Sequence, residues 1–420
     1  MSLGSKLSNR EGWQGGESPT LGGVAGLTAR TVFGAATAPP GQAFSLAFRD
    51  GEIGGWEGEG ARLAGPLLDG SGCTLLPGFI DVHIHGSGGA DVMDATWEGL
   101  ETMSRFLVRH GVTGFYATTV TASHGATLAA VENAARYVEH SRAGNGEERV
   151  AGARVLGVHL EGPFLSAAFP GAQNPAHIRP PSAAEFEALL GAGPVRMITL
   201  APEVAGADVL IEMAAAAGVR VVLGHTGATF EEATAAVDAG VSQATHTYNA
   251  MTGLHHRRPG ALGATLSDDR IYAQLIADGI HVHPAAMRIL GRCKGPTRTL
   301  LISDAIGAAG MPEGRYEMGR LPVIVQDGAC RLEDGTLAGS VLTLDAALRN
   351  FMSATRWPLV QAWPATSLSQ AQAMGLDREV GRIRRGARAD LVLLDSEVQV
   401  AATVVGGRLA YLRDSWRLQG

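Results

Sequence analysis

The chain has 420 residues, a formal net charge of -7, 45% hydrophobic residues and 18% charged residues. This length exceeds that of a typical single domain, and the composition is that of a globular protein rather than a disordered or fibrous one. Because the charge is negative, no basic stripe is found and no apolar run reaches the length of a membrane span, neither nucleic acid nor a membrane is predicted as a partner.

The N-terminal residues and the cysteines predict a tail and a cellular compartment. Residues 1–24 are rich in Gly, Ser and charge, and we interpret them as a disordered tail or a cloning remnant. No basic segment followed by an apolar one opens the sequence, so the predicted location is cytoplasmic. Cys73, Cys293 and Cys330 show no CxxC spacing, which favours free thiols in a reducing compartment.

Short strand-like segments occur near both ends of the chain. Gly and Pro separate residues 28–32, 43–49 and 51–54, and a similar pattern returns at 389–395, 398–405 and 406–411. The simplest arrangement is one small β-sandwich domain built from residues 25–76 and 377–420. Residues 77–376 would then be inserted between its two parts.

The middle of the chain alternates between strand and helix patterns. Ala-rich helical patterns, such as those at 127–139, 207–217 and 231–239, separate the apolar runs. Parallel strands need such helical crossovers, so eight units predict an α/β fold, a (β/α)8 TIM-type barrel. The predicted strands are 78–83, 114–118, 155–160, 196–201, 219–224, 243–246, 272–277 and 299–303.

Five motifs with histidine or acidic residues occur where predicted barrel strands end. In barrels of this kind the chemistry lies at the carboxyl ends of the strands. His83 and His85 flank a single residue, so the alternation of a strand places both imidazoles on one side. The motifs are DVHIH at 81–85, HLEGP at 159–163, GHT at 224–226, THTYNAM at 245–251 and SDA at 303–305.

Each of the other acid or histidine residues has an ordinary structural alternative. Glu161 could be a solvated loop residue, His225 and His246 hydrogen-bonded core residues, and Asp304 the N-cap of a helix. Their ordered occurrence after an HxH pair favours a shared metal instead. Imidazole and carboxylate ligands without thiolate favour zinc, iron(II), manganese or a similar divalent ion. A carboxylate beside such an ion can also accept a proton from water.

The motifs resemble those of the amidohydrolase superfamily and, within it, of the N-acetylglucosamine-6-phosphate deacetylase family. The resemblance covers roughly residues 27–409. The superfamily pattern is carried by PGFIDVHIHG at 77–86, GRI at 381–383, Gly386 and ADLV at 389–392. The narrower pattern is carried by HLEGPF at 159–164, GHT at 224–226, THTYNAM at 245–251, ADGIH at 277–281, ISDA at 302–305 and GTLAGS at 335–340.

Lysine is scarce, and this bears on the kind of metal site. Many members of the superfamily bridge two metals with a carboxylated lysine on the fourth barrel strand. Of the 34 basic residues here only Lys6 and Lys294 are lysines. Lys6 lies in the tail and Lys294 precedes the eighth strand, at the wrong end of the barrel. A glutamate-ligated site on the third strand remains, and Glu161 fits it.

The resemblance implies roles for the strand-end residues. Glu161, His225 and His246 would bind the main metal, while Asp304 would be a metal ligand, the general base and then the general acid. Some members lack the HxH histidines and use one metal, whereas this chain keeps His83 and His85. One or two divalent ions are therefore expected, with zinc favoured over iron, manganese, cobalt or nickel.

The implied reaction is the hydrolysis of N-acetyl-D-glucosamine 6-phosphate to glucosamine 6-phosphate and acetate. Gln173 stands where some members carry a histidine that polarises the acetyl carbonyl. Arg257, or the adjacent Arg258, would reach the phosphate from a neighbouring subunit, which implies a homodimer. The expected substrate-binding residues are Gln173, Asn249, Ala250, Arg257, His281, Leu337 and Ala338.

Two alternatives remain open at this level. Changes in the loops around Gln173 and residues 336–340 would be enough to accept N-acetylgalactosamine 6-phosphate, another N-acyl group or a cyclic amide. A non-catalytic scaffold of the same fold would predict decayed ligands, and the five motifs keep all of theirs.

Overall fold

The computed structural model describes residues 26–32, 44–57, 67–143, 152–413 and 418–419. The predicted tail, residues 1–24, lies outside these ranges. The described part of the chain begins with four strands: β1 (Gly26–Val32), β2 (Phe44–Arg49), β3 (Glu52–Glu57) and β4 (Leu67–Pro77).

Eight parallel strands then form a barrel. Each strand pairs with the next along the chain, and the ends of the last and first strands are joined by hydrogen bonds from Asp304 N to His83 O (2.9 Å) and from His85 N to Ala305 O (2.8 Å). The predicted TIM-type barrel is confirmed, and each strand begins and ends within two residues of its predicted limits. The strands are β5 (Phe79–Ile84), β6 (Val112–Thr119), β7 (Arg154–Glu161), β8 (Val195–Leu200), β9 (Arg220–Leu223), β10 (Val241–Ala244), β11 (Tyr272–Ile276) and β12 (Thr299–Ile302).

Helices cover the outside of the barrel, which explains why its strands are apolar runs rather than alternating ones. Every residue of β5, β6 and β12 is buried. Within the described ranges, each helix is too short or too polar to cross a lipid bilayer. The helices that accompany the barrel strands are α1 (Trp97–Val108), α2 (His124–Ala143), α3 (Ala183–Ala192), α4 (Ala207–Ala216), α5 (Phe230–Ala239), α6 (Gly260–Ser267) and α7 (Pro284–Arg298).

A small antiparallel sheet follows the last barrel strand, in a region where the sequence predicted no separate sheet. It consists of β13 (Gly314–Met318), β14 (Leu321–Gln326) and β15 (Ala329–Arg331). Its buried side chains, including Val323 and Cys330, pack with Ile306 and Ala338 next to the end of β12. Helices α8 (Leu344–Thr355), α9 (Leu359–Ala362) and α10 (Leu368–Met374) complete this part.

Strands from both ends of the chain share one sheet. The C-terminal strands are β16 (Leu391–Leu394), β17 (Val400–Val405), β18 (Arg408–Leu412) and β19 (Leu418–Gln419). The order is β18-β17-β16-β4-β1-β2-β3, with β19 also beside β4. Leu27, Leu75, Leu391 and Val404 belong to a separate small core beneath it. The predicted joining of the two ends is confirmed, while the domain boundaries at 76/77 and 376/377 stay a prediction.

Lys294 has a structural role at the end of α6. Its ammonium group donates hydrogen bonds to Thr265 O (2.9 Å), in the last turn of α6, and to Asp268 O (2.7 Å), just after the helix. Burial lowers the pKa of Lys294 to about 8. Lys294 therefore caps the end of α6, as expected if the metal site has no bridging lysine.

Candidate metal centre

Six predicted ligand residues meet at the carboxyl ends of five barrel strands. They follow or end β5, β7, β9, β10 and β12, on the edge where barrels of this type carry their chemistry. At most 6% of each residue is exposed: His83, His85, Glu161, His225, His246 and Asp304.

The six residues form two linked triplets. His83, His85 and Asp304 offer ligand atoms within 4.8 Å of one another, and so do Glu161, His225 and His246. The carboxylate of Glu161 joins them, because its Oε1 lies 3.3 Å from His83 Nε2 and its Oε2 lies 3.3 Å from His85 Nε2. The Glu161 carboxylate therefore lies within reach of both triplets, which makes it the candidate bridge between them.

Hydrogen bonds on the outer ring nitrogens fix the histidine tautomers. Nδ1 of His85 lies 3.1 Å from Thr118 O, and Nδ1 of His225 lies 3.1 Å from Phe169 O. Since a carbonyl oxygen can only accept, each ring donates its Nδ1–H, and in the neutral ring the lone pair then lies on Nε2. That lone pair faces the cluster, as expected for a metal ligand.

The donor atoms fit a bound cation. Nε2 of His225 and Nε2 of His246 lie 3.0 Å apart, and the buried Nε2 of His83 has no hydrogen-bond partner. Buried lone pairs and carboxylates that face one another repel unless a positive charge lies between them. The set contains nitrogen and oxygen but no sulfur, which suits a divalent ion such as zinc, iron(II) or manganese.

The electrostatics keep both acids ionised. Burial by itself raises the pKa of Glu161, but the nearby His83 and the ring nitrogens of His225 and His246 beside its carboxylate hold the pKa well below its usual range. Burial likewise opposes ionisation of Asp304, and the two histidines of its triplet lower its pKa overall. Both carboxylates therefore carry negative charge at neutral pH, as metal ligation and base catalysis require.

Unusual backbone conformations coincide with the ligands. His225, His246 and Asp304 have φ of +47°, +23° and +49°, and Ala250 has φ of +48°. Residues with side chains rarely adopt this region, and such strain concentrates at functional sites. No sequence pattern predicts these φ angles.

Two further side chains support the ligands, and neither was predicted to do so. Glu203 accepts hydrogen bonds from Thr226 Oγ1 (2.6 Å) and Gly227 N (2.5 Å), which holds the loop that follows His225. His159, the first residue of the HLEGP motif, hydrogen bonds through Nε2 to Thr199 Oγ1 (2.8 Å). Burial holds the pKa of His159 well below its usual range, so it packs as a neutral ring against His83.

The loop after His85 leaves no room for a side chain at Gly86. A Cβ there would lie 2.5 Å from both Ala90 O and Gly307 N, which are main-chain atoms that cannot move independently. We expect Gly86→Ala to lower the free energy of unfolding by about 1–3 kcal/mol or more through overpacking. Gly125→Ala is the control, because nothing lies within 4 Å of its Cβ and it occupies the first turn of α2. Urea denaturation would measure both, and equal stability of the two variants would contradict the expectation.

The predicted substrate-binding residues are held in place by different contacts. Asn249 Nδ2 donates to His246 O (3.1 Å), and Ala250 O accepts from Thr226 N (3.1 Å), so both belong to the ligand loops. The ring of His281 is held by Asp278 Oδ2 at 2.6 Å. Leu337 forms a β-bridge with Arg331, and Ala338 is fully buried with its N–H donating to Cys330 O.

Gln173 and Arg257 are placed in contrasting surroundings. Gln173 lies at the cluster, where its Nε2 donates to Glu161 Oε2 (2.5 Å) and its Oε1 accepts from Thr121 N (2.7 Å). Arg257 and Arg258 are exposed, and Nη1 of Arg257 lies 2.8 Å from Nε2 of the neighbouring His256. Within the described chain, Arg257 thus faces solvent.

Comparisons with known proteins agree with this geometry. Residues 74–410 match the model of the amidohydrolase family. The chain is 40% identical over 339 residues to N-acetylglucosamine-6-phosphate deacetylase of Vibrio furnissii, covering 80% of this chain and 83% of that one. It is 41% identical over 338 residues to N-acetylgalactosamine-6-phosphate deacetylase of Escherichia coli O157:H7, covering 80% and 87%. A solved structure of N-acetyl-D-glucosamine-6-phosphate deacetylase from Mycobacterium smegmatis, in complex with N-acetyl-D-glucosamine-6-phosphate, superposes with a TM-score of 0.84 at 33% identity, covering 93% of this chain and all of that one.

Proposed function

This chain belongs to the amidohydrolase family, and we propose that it hydrolyses N-acetyl-D-glucosamine 6-phosphate to glucosamine 6-phosphate and acetate. The observation that carries the proposal is the pair of ligand triplets joined by Glu161 beside the ionised Asp304. Relatives at about 40% identity that act on N-acetyl amino sugar phosphates support the choice of substrate. The three free cysteines fit the cytoplasmic location that we also propose.

We assign two divalent ions to the site, with zinc as the preferred metal. Glu161, His225 and His246 would hold the first, and His83, His85 and Asp304 the second. When bound, a divalent ion lowers the pKa of water and polarises an amide carbonyl. The near-complete burial of the ligands excludes bulk water from around them, which strengthens these charge interactions.

Asp304 is the residue we assign to proton transfer. Its Oδ1 faces the ring nitrogens of His83 (3.3 Å) and His85 (3.1 Å), and we assign the transfer to Oδ2. As an ionised group it can accept a proton from the attacking water. The same proton would then pass to the departing amine, since an amine leaves far more readily when protonated.

Gln173 is proposed to orient the acetyl group. The N–H of Thr121 fixes the amide by donating to Oε1, so Nε2 must face the cluster. One of its two N–H groups bonds Glu161, and the second can reach the acetyl carbonyl. Unlike the histidine found in some members of the family, this amide keeps the same charge at every pH. Asn249, Ala250, His281, Leu337 and Ala338 would hold the sugar and its phosphate.

The phosphate contact from Arg257 is proposed to cross a homodimer interface. Arg257 is exposed on its own chain, and Leu254 in the same loop is 58% exposed, which provides apolar surface for a second subunit. A guanidinium pairs with phosphate oxygens in a bidentate manner. We therefore infer that the loop of one protomer completes the phosphate pocket of its partner.

Arg257→Ala should mainly weaken substrate binding. Loss of a phosphate contact made equally in the ground state and the transition state raises KM, here by about 10-fold or more, with kcat little changed. Arg258→Ala is the matched control, because it removes the neighbouring guanidinium from the same exposed loop. Steady-state acetate release would measure both. A fall in kcat alone, or a larger KM effect of Arg258→Ala, would contradict the assignment of Arg257.

The preferred sugar can be tested by comparing three substrates. We expect the highest kcat/KM with N-acetylglucosamine 6-phosphate, a lower value with N-acetylgalactosamine 6-phosphate and a much lower value with unphosphorylated N-acetylglucosamine. The relative from Escherichia coli makes the galacto epimer the second candidate substrate. A preference for that epimer would move the assignment to it, and equal turnover without the phosphate would refute the proposed phosphate pocket.

A further inference from the structure

We propose that two buried glutamines, Gln274 and Gln243, set the ring tautomer of His83 and thereby determine how tightly the ion beside His83 and His85 is held. They are positioning residues that act through His83. The inference rests on the proposed function in one respect, the presence of a divalent ion at the His83 triplet.

Gln274 contacts His83 on the side away from the metal ligands. Its Oε1 lies 3.0 Å from His83 Nδ1, and both residues are fully buried in the barrel interior. Thr245 Oγ1 donates to the same oxygen (3.1 Å) and also lies 3.0 Å from Nδ1. With an acceptor oxygen in this position, the ring carries its proton on Nδ1 and presents a lone pair on Nε2.

The orientation of the Gln274 amide matters because the opposite orientation would reverse this result. An NH₂ group facing Nδ1 would need a lone pair there, and the proton of a neutral ring would then lie on Nε2, between Glu161 and Asp304. A protonated Nε2 cannot bind a metal ion. The amide must therefore be held with its oxygen towards His83.

Gln243 provides this hold. Gln274 Nε2 donates to Gln243 Oε1 (3.2 Å), and Gln243 Nε2 in turn faces Met374 Sδ at 3.5 Å. A thioether sulfur accepts weakly and cannot donate, so the NH₂ group of Gln243 belongs on its side. The hydrogen bonds therefore all donate in one direction, from Gln274 to Gln243 and from Gln243 to Met374. Reversing either amide would bring two acceptors together. The sequence Met374, Gln243, Gln274, His83 is thus a polar chain with one favoured direction.

His83 differs in this respect from two other histidines of the site. His85 and His225 are fixed by the main-chain carbonyls of Thr118 and Phe169, which no substitution can remove. The tautomer of His83 depends on side chains. A single substitution of Gln274 can therefore remove the amide acceptor without changing any proposed metal ligand. It leaves only the Thr245 hydroxyl beside Nδ1, which can donate as well as accept and so does not select a tautomer.

The test compares zinc retention in four purified full-length proteins loaded with zinc: the wild type and the variants Gln274→Met, Gln274→Glu and Gln370→Met. Gln274→Met keeps the size of the side chain but removes the amide acceptor. Gln274→Glu keeps an acceptor oxygen. Gln370→Met is the matched control, because Gln370 is an equally buried amide that donates to the carbonyls of Leu301 and Ala365. Zinc content is counted by elemental mass spectrometry, and release to a chelator is followed over time.

We expect Gln274→Met to release one zinc ion at least about 10-fold faster than the wild type, the usual scale for loss of a hydrogen bond to a metal ligand. Gln274→Glu should restore retention to within about 3-fold. One carboxylate oxygen accepts from Nδ1, and Gln243 can turn its NH₂ group towards the other oxygen because its contact with Met374 is weak. Gln370→Met should behave as the wild type. If Gln274→Met does not fold, Gln243→Met serves instead, since it leaves the acceptor in place and frees its orientation.

Several results would overturn the inference. These are wild-type retention in Gln274→Met, equal loss in Gln274→Met and Gln370→Met, and failure of Gln274→Glu to restore retention. Because zinc retention and not acetate release is measured, the proposed function is judged separately. If the wild type hydrolyses the substrate and Gln274→Met retains zinc as the wild type does, only the role of the glutamines is refuted.

Discussion

Asp304→Asn should keep its metal and lose its turnover. The asparagine oxygen can still face His83 and His85, so the ligand geometry changes little. An amide cannot accept a proton from water at neutral pH or return it to the leaving amine. Loss of general acid–base catalysis costs about 10²–10⁴-fold in rate, and we expect kcat to fall by at least that amount. Acetate release and elemental analysis of the same sample measure the two quantities.

Asp345→Asn is the matched control for this experiment. Asp345 is also a buried carboxylate, paired with His110 (3.0 Å) and Arg349 (3.0 Å) away from the metal ligands. Burial would raise the pKa of Asp345, but His110 and Arg349 hold it far below its usual range. Its stabilising effect is therefore present above the pKa of the unfolded chain and is lost as the pH falls towards the folded pKa. The control should lower the melting temperature and leave kcat near that of the wild type. Wild-type turnover in Asp304→Asn would rule out its assigned role.

Glu161→Gln should empty both metal positions. Oε1 of Glu161 lies 3.1 Å from His246 Nε2 and 3.3 Å from His225 Nε2, and the same carboxylate faces the HxH pair. The substitution removes the negative charge that would serve both proposed ions. It also turns an NH₂ group towards one of them. Since loss of even an indirect contact costs 10–100-fold in metal affinity, we expect a loss of at least about 100-fold here, with acetate release falling accordingly.

Glu203→Gln separates the bridging role from a general effect of losing a carboxylate near the site. Glu203 holds the loop after His225 through Thr226 and Gly227, and it is not one of the six ligands. That variant should keep zinc and lose only part of its activity. Elemental analysis after dialysis against a chelator measures both variants. Retention of two ions in Glu161→Gln would refute the bridging assignment.

The barrel and the clustering of the candidate ligand residues could be predicted because each follows from a local pattern. Strands buried on both faces are continuous apolar runs, so the end of each run marks a strand end. His83 and His85 then share one side by strand alternation. The ordering of Glu161, His225 and Asp304 after such runs was enough to place them together at one edge of the barrel.

Other features of the site depend on contacts between distant segments, which no local pattern reports. In the sequence, Gln274 and Gln243 are ordinary polar residues. Only the closed barrel brings them beneath His83. The hold of Glu203 on the loop after His225 arises in the same way. Gln173 was predicted to face the acetyl group, and its contact with Glu161 became visible only in three dimensions.

The most direct test of the central claim, that the buried cluster binds the metal on which amide hydrolysis depends, is a zinc titration of metal-depleted protein. Acetate release from N-acetylglucosamine 6-phosphate is followed as zinc is added. We predict negligible release without metal and an increase that saturates when the six-ligand cluster is filled, at two ions per chain. Full turnover by the metal-depleted protein, or saturating zinc binding without any acetate release, would contradict the claim.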